Sequence, residues 1–248
     1  LGSVDTTGTF SSNVNGLVKD TTYYIRAFAS NSSGTNYGAV MEFITLTTEP
    51  ELPEGGGTPG NPYIVSNLGN LYWITLDNER WDKSYIQDAW IDASETSEWN
   101  NGKGWPCIGN ITAKFTGSYD GGNFAINGLV IKRTGESYTG LFGDVQNADL
   151  NNIIVTNSYV EGSSYTGGIA GAVYSSTELK NCCYTGTVSG GWYVGGLTGK
   201  SDSSVITRSF TDGSVKGNSL VGGLAGWNYK SQIDNSYSLS SVTESDSM

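Results

Sequence analysis

"LVGGLAGWNYKSQIDNSYS", residues 220–238, reads as a second writing of "YVGGLTGKSDSSVITRSFT" at 193–211. Aligning the second half of the chain with itself gives three apolar columns. The first holds Leu141, Ile169, Leu197 and Leu224, spaced by 28, 28 and 27 residues, each framed by glycines in "GLFG", "GIAG", "GLTG" and "GLAG". The second holds Leu150, Leu179, Ile206 and Ile233, spaced by 29, 27 and 27. The third is Tyr159, Val188, Val215 and Val242. A period in this range is the signature of a stacked array, in which a single unit cannot bury its own apolar face.

The content of each unit decides which array. Helical repeats need ten or more good helix formers in a run, and these units are broken by Gly, Asn and Ser every few residues. Three short strands per unit, joined by tight turns, fit better. Coils stacked like on like turn each apolar column into a ladder within one core, with backbone hydrogen bonds running between coils. The pairs Gly167-Gly168, Gly195-Gly196 and Gly222-Gly223 then mark corners, where glycine tolerates positive φ and lets coils approach closely. The expected fold is all-β: a parallel β-solenoid of about four 27–28-residue repeats over 139–248.

The units "VGGLTGKSDSSVITRSFTDGSVKG" and "VGGLAGWNYKSQIDNSYSLSSV" resemble the GLUG repeat of bacterial cell-surface proteins. The resemblance covers about residue 139 to the end. It implies a non-catalytic adhesin-like scaffold at the cell surface or secreted, with a glycan or an extracellular protein as partner. One departure is "LKNCCYTG", where Cys183 stands in place of the aromatic Phe210 and Tyr237; a free cysteine packs as a small hydrophobe.

Residues 61–138 lead into the repeats as an N-terminal cap and first coils. In "NLGNLYWITLDNERW", Asn67 is a helix cap ahead of Leu68, Leu71, Tyr72 and Ile74 at helical spacing, a segment suited to covering the solenoid's open end. "WPCIGNITAKFTGSYDGGNFAINGLVI" resembles the segment that introduces β-helical regions in surface proteins, with Phe115, Gly117, Asp120, Gly121 and Ile126; Asp120-Gly121 is a turn. "TTEPELPEGGGTPGN" concentrates Pro, Gly and Glu, and 48–60 reads as a linker. Ahead of it, 1–47 resembles the second half of a fibronectin type III domain. There the spacing from Leu17 to Tyr23 implies a tyrosine corner, with Tyr23 bonded back to the backbone. The earlier strands of such a sandwich are missing, so the chain reads as a fragment of something longer.

Composition narrows the function classes. The 248 residues include 35 Gly, 15 Tyr and 7 Trp and carry a formal charge of −11. The aromatic content opposes disorder, and the acidity opposes nucleic acid as a partner. No stretch is apolar for long enough to span a bilayer. Histidine is absent, which removes Ser-His and Cys-His nucleophile systems. The three cysteines Cys107, Cys182 and Cys183 are an odd set with two neighbours, which argues against a disulfide framework.

Parallel β-helices include glycan lyases and hydrolases, which converge carboxylates on one face or hold Ca²⁺ there. In a stacked array those groups should form acidic columns. The columns after the second apolar ladder are instead Asn152, Asn181, Arg208, Asn235 and Asn151, Lys180, Thr207, Asp234, read as turn residues or an amide ladder. Asp88, Asp92, Glu95 and Glu98 lack the spacing of a calcium loop and read as a solvated face. No catalytic residue, metal ligand or cofactor is expected. The candidate binding surface is aromatic: Trp192, Tyr193, Trp227 and Tyr229 beside the Gly-rich corners, with Tyr174 and Tyr165. An accessory region of a carbohydrate-active enzyme or surface peptidase whose catalytic domain lies elsewhere is the alternative, as is a plain stalk.

Overall fold

The computed structural model describes Val14, residues 17–18, 21–45 and 48–245. Parts of the fibronectin-like stretch and residues 246–248 therefore lie outside the described residues. The chain forms two compact units, 1–47 and 48–248.

The first unit holds two antiparallel pairs. Thr22–Ile25 pairs with Met41–Ile44, and Phe28–Asn31 pairs with Gly34–Tyr37. The Tyr23 hydroxyl accepts the Val18 N–H at 2.8 Å, and the Tyr23 ring stacks on Phe43 at 5.9 Å. No hydrophobic side chain among the described residues of this unit is buried.

The second unit is a parallel β-solenoid of about five turns. Three of the repeats contribute a fourth strand where three per unit were expected. Phe142–Gln146, Ala170–Tyr174, Thr198–Asp202 and Ala225–Tyr229 stack into a four-stranded sheet. Asp149–Asn151, Glu178–Lys180, Val205–Thr207 and Gln232–Asp234 continue a seven-stranded sheet. Ile154–Glu161, Cys183–Ser189 and Phe210–Gly217 belong to an eight-stranded sheet. The extra strand is Ser164–Gly167, with Trp192–Gly195 and Ser219–Gly222 stacked beside it. Its four-residue runs are flanked by glycine, which hides them from a reading by apolar period.

The register places the ladders. Leu150, Leu179, Ile206 and Ile233 stack in line, and the column extends backward through Tyr119, Tyr85 and Tyr63. Leu150, Leu179 and Ile206 are fully buried, each contributing about 1.5–3 kcal/mol by leaving water. The third column differs from expectation. Val188 stands against Val160, not Tyr159, because a bulge between Val155 and Ser158 adds one residue to that strand. Asn157 supplies the bulge with φ 50°. Val160 is thereby turned into the core, and Tyr159 points outward to bond Glu161 at 3.0 Å.

Turn backbone is satisfied by side chains one coil away. The Ser231 hydroxyl accepts the Ser204 N–H at 2.9 Å, and Ser236 and Ser209 accept the N–H groups of Ser209 and Cys182, both at 3.0 Å. A turn buried between coils has no water to bond, so these inward hydroxyls replace it. Asn152, Asn181, Arg208 and Asn235 all have φ near 50°. Asn181 also donates to Asn152, and Asn152 to Asp120, each at 2.9 Å, forming an amide ladder along the corner.

Ahead of the repeats, Asn67 caps the helix Leu68–Thr75 by accepting the Asn70 N–H at 2.8 Å. Leu68, Leu71 and Ile74 are its buried apolar side. The stretch 48–60 is tied to this region through Glu51 N–H to Gly69 O at 3.0 Å and Ile64 N–H to Glu54 O at 2.7 Å.

Candidate functional site

The three-stranded sheet is where the aromatics gather. Its strands and the turn before them read "SYTG" at 137–140 and 164–167, "WYVG" at 192–195 and "SLVG" at 219–222. The second residue of each, Tyr138, Tyr165, Tyr193 and Leu220, has positive φ between 55° and 63°. A non-glycine residue pays roughly 1–2 kcal/mol for that backbone. The glycine pairs that follow have ordinary φ, so the expectation of positive φ at those corners is corrected: the tyrosines take the left-handed turn.

The glycines serve the close approach. A Cβ on Gly199 would lie 2.4 Å from both Thr166 N and Tyr193 O, and one on Gly226 would lie 2.4 Å from Val194 N. A Cβ on Gly168 would strike the Tyr184 ring at 2.2 Å. The left-handed tyrosine turn folds the short strand down onto the second glycine of each Gly-x-x-Gly frame. Repetition of that turn brings the tyrosine rings into register.

The rings form a ladder. Tyr138 stacks on Tyr165 at 4.8 Å, Tyr165 on Tyr193 at 4.8 Å and Tyr193 on Trp227 at 5.2 Å. Trp227 comes from the adjacent strand and takes the place that Leu220 leaves without a ring. Beside the ladder, the Tyr174 ring lies between the Lys114 and Lys200 ammonium groups, 4.6 and 4.7 Å from its centroid. Lys200 also lies 5.1 Å from the Trp227 ring and pairs with Asp202 at 3.0 Å. Lys114 pairs at 2.7 Å with Asp144, whose side chain is 1% exposed. Burial raises the Tyr174 phenol well above its usual range, with Tyr138 and Asp144 adding to it. The Tyr174 phenol is therefore neutral.

This arrangement sorts the candidate residues. Tyr193 has a ring on each face, which leaves only its edge to a ligand. Trp227 and Tyr229 touch each other at 5.8 Å and are 36% and 43% exposed. Tyr174 is held between its two lysines. Trp192 stands apart from the ladder, 55% exposed and without a ring neighbour among the described residues. Sequence reasoning passed over Tyr138, Lys114, Lys200 and Asp144. Tyr138 had a signal in the repeated "SYTG"; the other three are brought together only by stacking.

Cys182 and Cys183 are buried, and burial pushes their thiols up to about 12 and about 11. Thiols this far from ionising are poor nucleophiles. Among the described residues no three Cys, Asp or Glu side chains stand together as a metal would need, and no helix is long and apolar enough to cross a membrane. Near one end of the ladder lies a cleft of about 270 Å³, lined by Trp81, Cys107, Asn110, Arg133, Glu136 and Tyr138 among others.

Comparison with known proteins finds one family motif and three relatives that match part of the chain. The GLUG motif matches residues 217–243, the last of the stacked units. The chain is 41% identical over 162 residues to Halomucin of Haloquadratum walsbyi, covering 62% of this chain and 2% of that protein. It is 29% identical over 192 residues to a protein of Evansella cellulosilytica named as a Gly-rich membrane protein, covering 62% of this chain and 21% of that one. It is also 29% identical over 144 residues to an Immunoglobulin A1 protease of Streptococcus sanguinis, covering 58% of this chain and 7% of the protease. The chain thus spans a small part of each relative's length. No solved structure matches it. The chain itself is a β-solenoid whose last stacked unit matches the GLUG motif.

Proposed function

We propose that this chain is a non-catalytic segment of a cell-surface or secreted protein, a β-solenoid that displays an aromatic edge for binding a glycan. The observation that carries this reading is Trp192. A tryptophan 55% exposed at a glycine-rich strand end, apart from the ring ladder, costs hydration without contributing to the core, and such a ring is suited to stacking on a sugar. Trp227 and Tyr229 extend the surface. The names of the relatives support a location at the surface or outside the cell. The helix Leu68–Thr75 is assigned to covering the solenoid's end, and the Tyr23 hydroxyl bond fits a partial fibronectin III-like module ahead of it.

The test is a glycan and extracellular-matrix array probed with the whole chain and with Trp192→Ala and Trp227→Ala. Specific glycan binding that Trp192→Ala removes, without loss of fold, is the expected result. Binding to matrix proteins alone would replace the sugar with a protein partner, and no binding by folded chain would reduce the segment to a stalk. A second reading rests on the protease relative: this segment would then position a catalytic domain found elsewhere in a longer protein.

A further inference from the structure

Within the ladder each inner ring has both faces covered: Tyr165 by Tyr138 and Tyr193, and Tyr193 by Tyr165 and Trp227. Tyr138 differs. Its one ring partner among the described residues is Tyr165, in the following coil, so its other face turns toward the preceding coil. In the preceding coil Ile108 bridges to Phe142, and Pro106, Cys107, Gly109 and Asn110 line the same cleft as Tyr138, while the nearby Trp105 ring is buried and stacks on Trp99. The cleft of about 270 Å³ lies here, with Tyr138 in its wall. It occupies the position where one more ring would continue the ladder.

The rim of the cleft is polar. Glu136 is held by Arg133 Nη1 at 2.9 Å and Lys103 Nζ at 3.4 Å. Arg133 is itself fixed by donating from Nε to Trp105 O at 2.8 Å. Burial pushes the Glu136 carboxyl up, but the bonds and charges of Arg133 and Lys103 outweigh it and hold the group below its usual range. Glu136 is an ionised acceptor with a fixed position. Asn110 uses its carbonyl oxygen on the Thr112 and Ala113 N–H groups at 2.9 and 3.0 Å, which leaves its amide N–H groups as donors.

A flat apolar face beside a fixed carboxylate and an amide donor, in a space at the small end of ligand sites, matches a single hydroxylated ring. A phenyl group would stack equally well but would use neither the remaining acceptor capacity of the Glu136 carboxylate nor the Asn110 amide N–H groups. We propose that this cleft is a monosaccharide subsite: one pyranose ring lays its C–H face on the free face of Tyr138 and bonds its hydroxyls to Glu136 and Asn110. The subsite rests on the glycan-binding reading and adds the terminal ring of the glycan to it.

The test is calorimetric titration of the whole chain with the methyl glycosides of glucose, galactose, mannose and N-acetylglucosamine, run beside the glycan array. At least one glycoside should bind at millimolar affinity, and Tyr138→Ala and Glu136→Gln should each weaken it by roughly tenfold, the scale of one stacking or one charge-assisted contact. Bound glycoside should also slow alkylation of Cys107, the largely buried thiol in the cleft wall. Array binding with no response to any single glycoside, or a glycoside whose affinity survives both cleft variants, overturns the subsite and leaves the glycan reading standing. Silence on both array and calorimeter removes the two together.

Discussion

Tyr165 and Tyr193 lie face to face with ring centroids 4.8 Å apart and planes 2° apart, and each holds its backbone at φ 57°. The stack and the backbone oppose each other energetically. The left-handed conformation costs roughly 1–2 kcal/mol in a residue with a Cβ, while each ring pair returns about 0.5–1.5 kcal/mol beyond area burial. Removing the Tyr193 ring abolishes two stacks; only glycine also releases the backbone. Tyr193→Ala should therefore be less stable in urea unfolding than Tyr193→Gly, by about 1 kcal/mol. The reverse order, usual inside a strand, would show that the backbone at 193 is not held left-handed.

The second glycine of each Gly-x-x-Gly frame is fixed by contact with backbone. A methyl group at Gly199 meets Thr166 N and Tyr193 O at 2.4 Å, atoms that cannot move without parting two coils. Gly199→Ala should cost at least 1–3 kcal/mol, the scale of overpacking a core. Gly135→Ala, where a Cβ meets nothing within 4 Å, should stay within about 0.5 kcal/mol of the parent. Equal effects at the two sites would separate the motif from coil stacking.

Period alone made the solenoid legible, since Leu150, Leu179, Ile206 and Ile233 can share a ladder only if coils stack. The cap at Asn67 was legible too, because its amide acts within four residues. Two features escaped. The fourth strand has no apolar period, being built from "SYTG" and "WYVG" runs that bury small groups. The Lys114–Asp144 and Lys200–Tyr174 contacts join residues 30 and 26 apart in sequence, which no local pattern encodes. The ring ladder fell between these cases: its tyrosines repeat with the glycines, but that their faces cover one another follows only from the positive φ.

The bulge at Asn157 makes the third column sensitive to one residue of register. Val160 is fully buried and aligned with Val188, while Tyr159 turns outward. Val160→Ala should lower stability by about 2 kcal/mol through lost burial and the cavity left behind. Tyr159→Ala should cost less than about 1 kcal/mol. A larger loss at Tyr159 would restore the unbulged register, with Tyr159 in the core.

Asp144 gives the fold a dependence on pH whose sign is fixed by burial. Its side chain is 1% exposed, Oδ2 pairs with Lys114 at 2.7 Å, and Oδ1 has no hydrogen-bond partner. Burial raises the carboxyl; the Lys114 bond and charge, and Lys200, oppose it without overcoming it. A carboxyl whose folded value lies above its unfolded value binds its proton more tightly in the native state. Stability from this group is therefore greatest below the unfolded value, about 3.9 for an aspartate, and is lost as pH rises through the interval between the two values. Asn at this position keeps the shape and cannot ionise, and Lys114, 31% exposed, can turn to water. Asp144→Asn should consequently gain on the parent as pH rises from 3 to 7 in a series of urea midpoints, with the difference levelling above the folded value. A difference that shrinks over the same range would mean that the Lys114 pair outweighs burial, and that Asp144 is held as a stabilising anion.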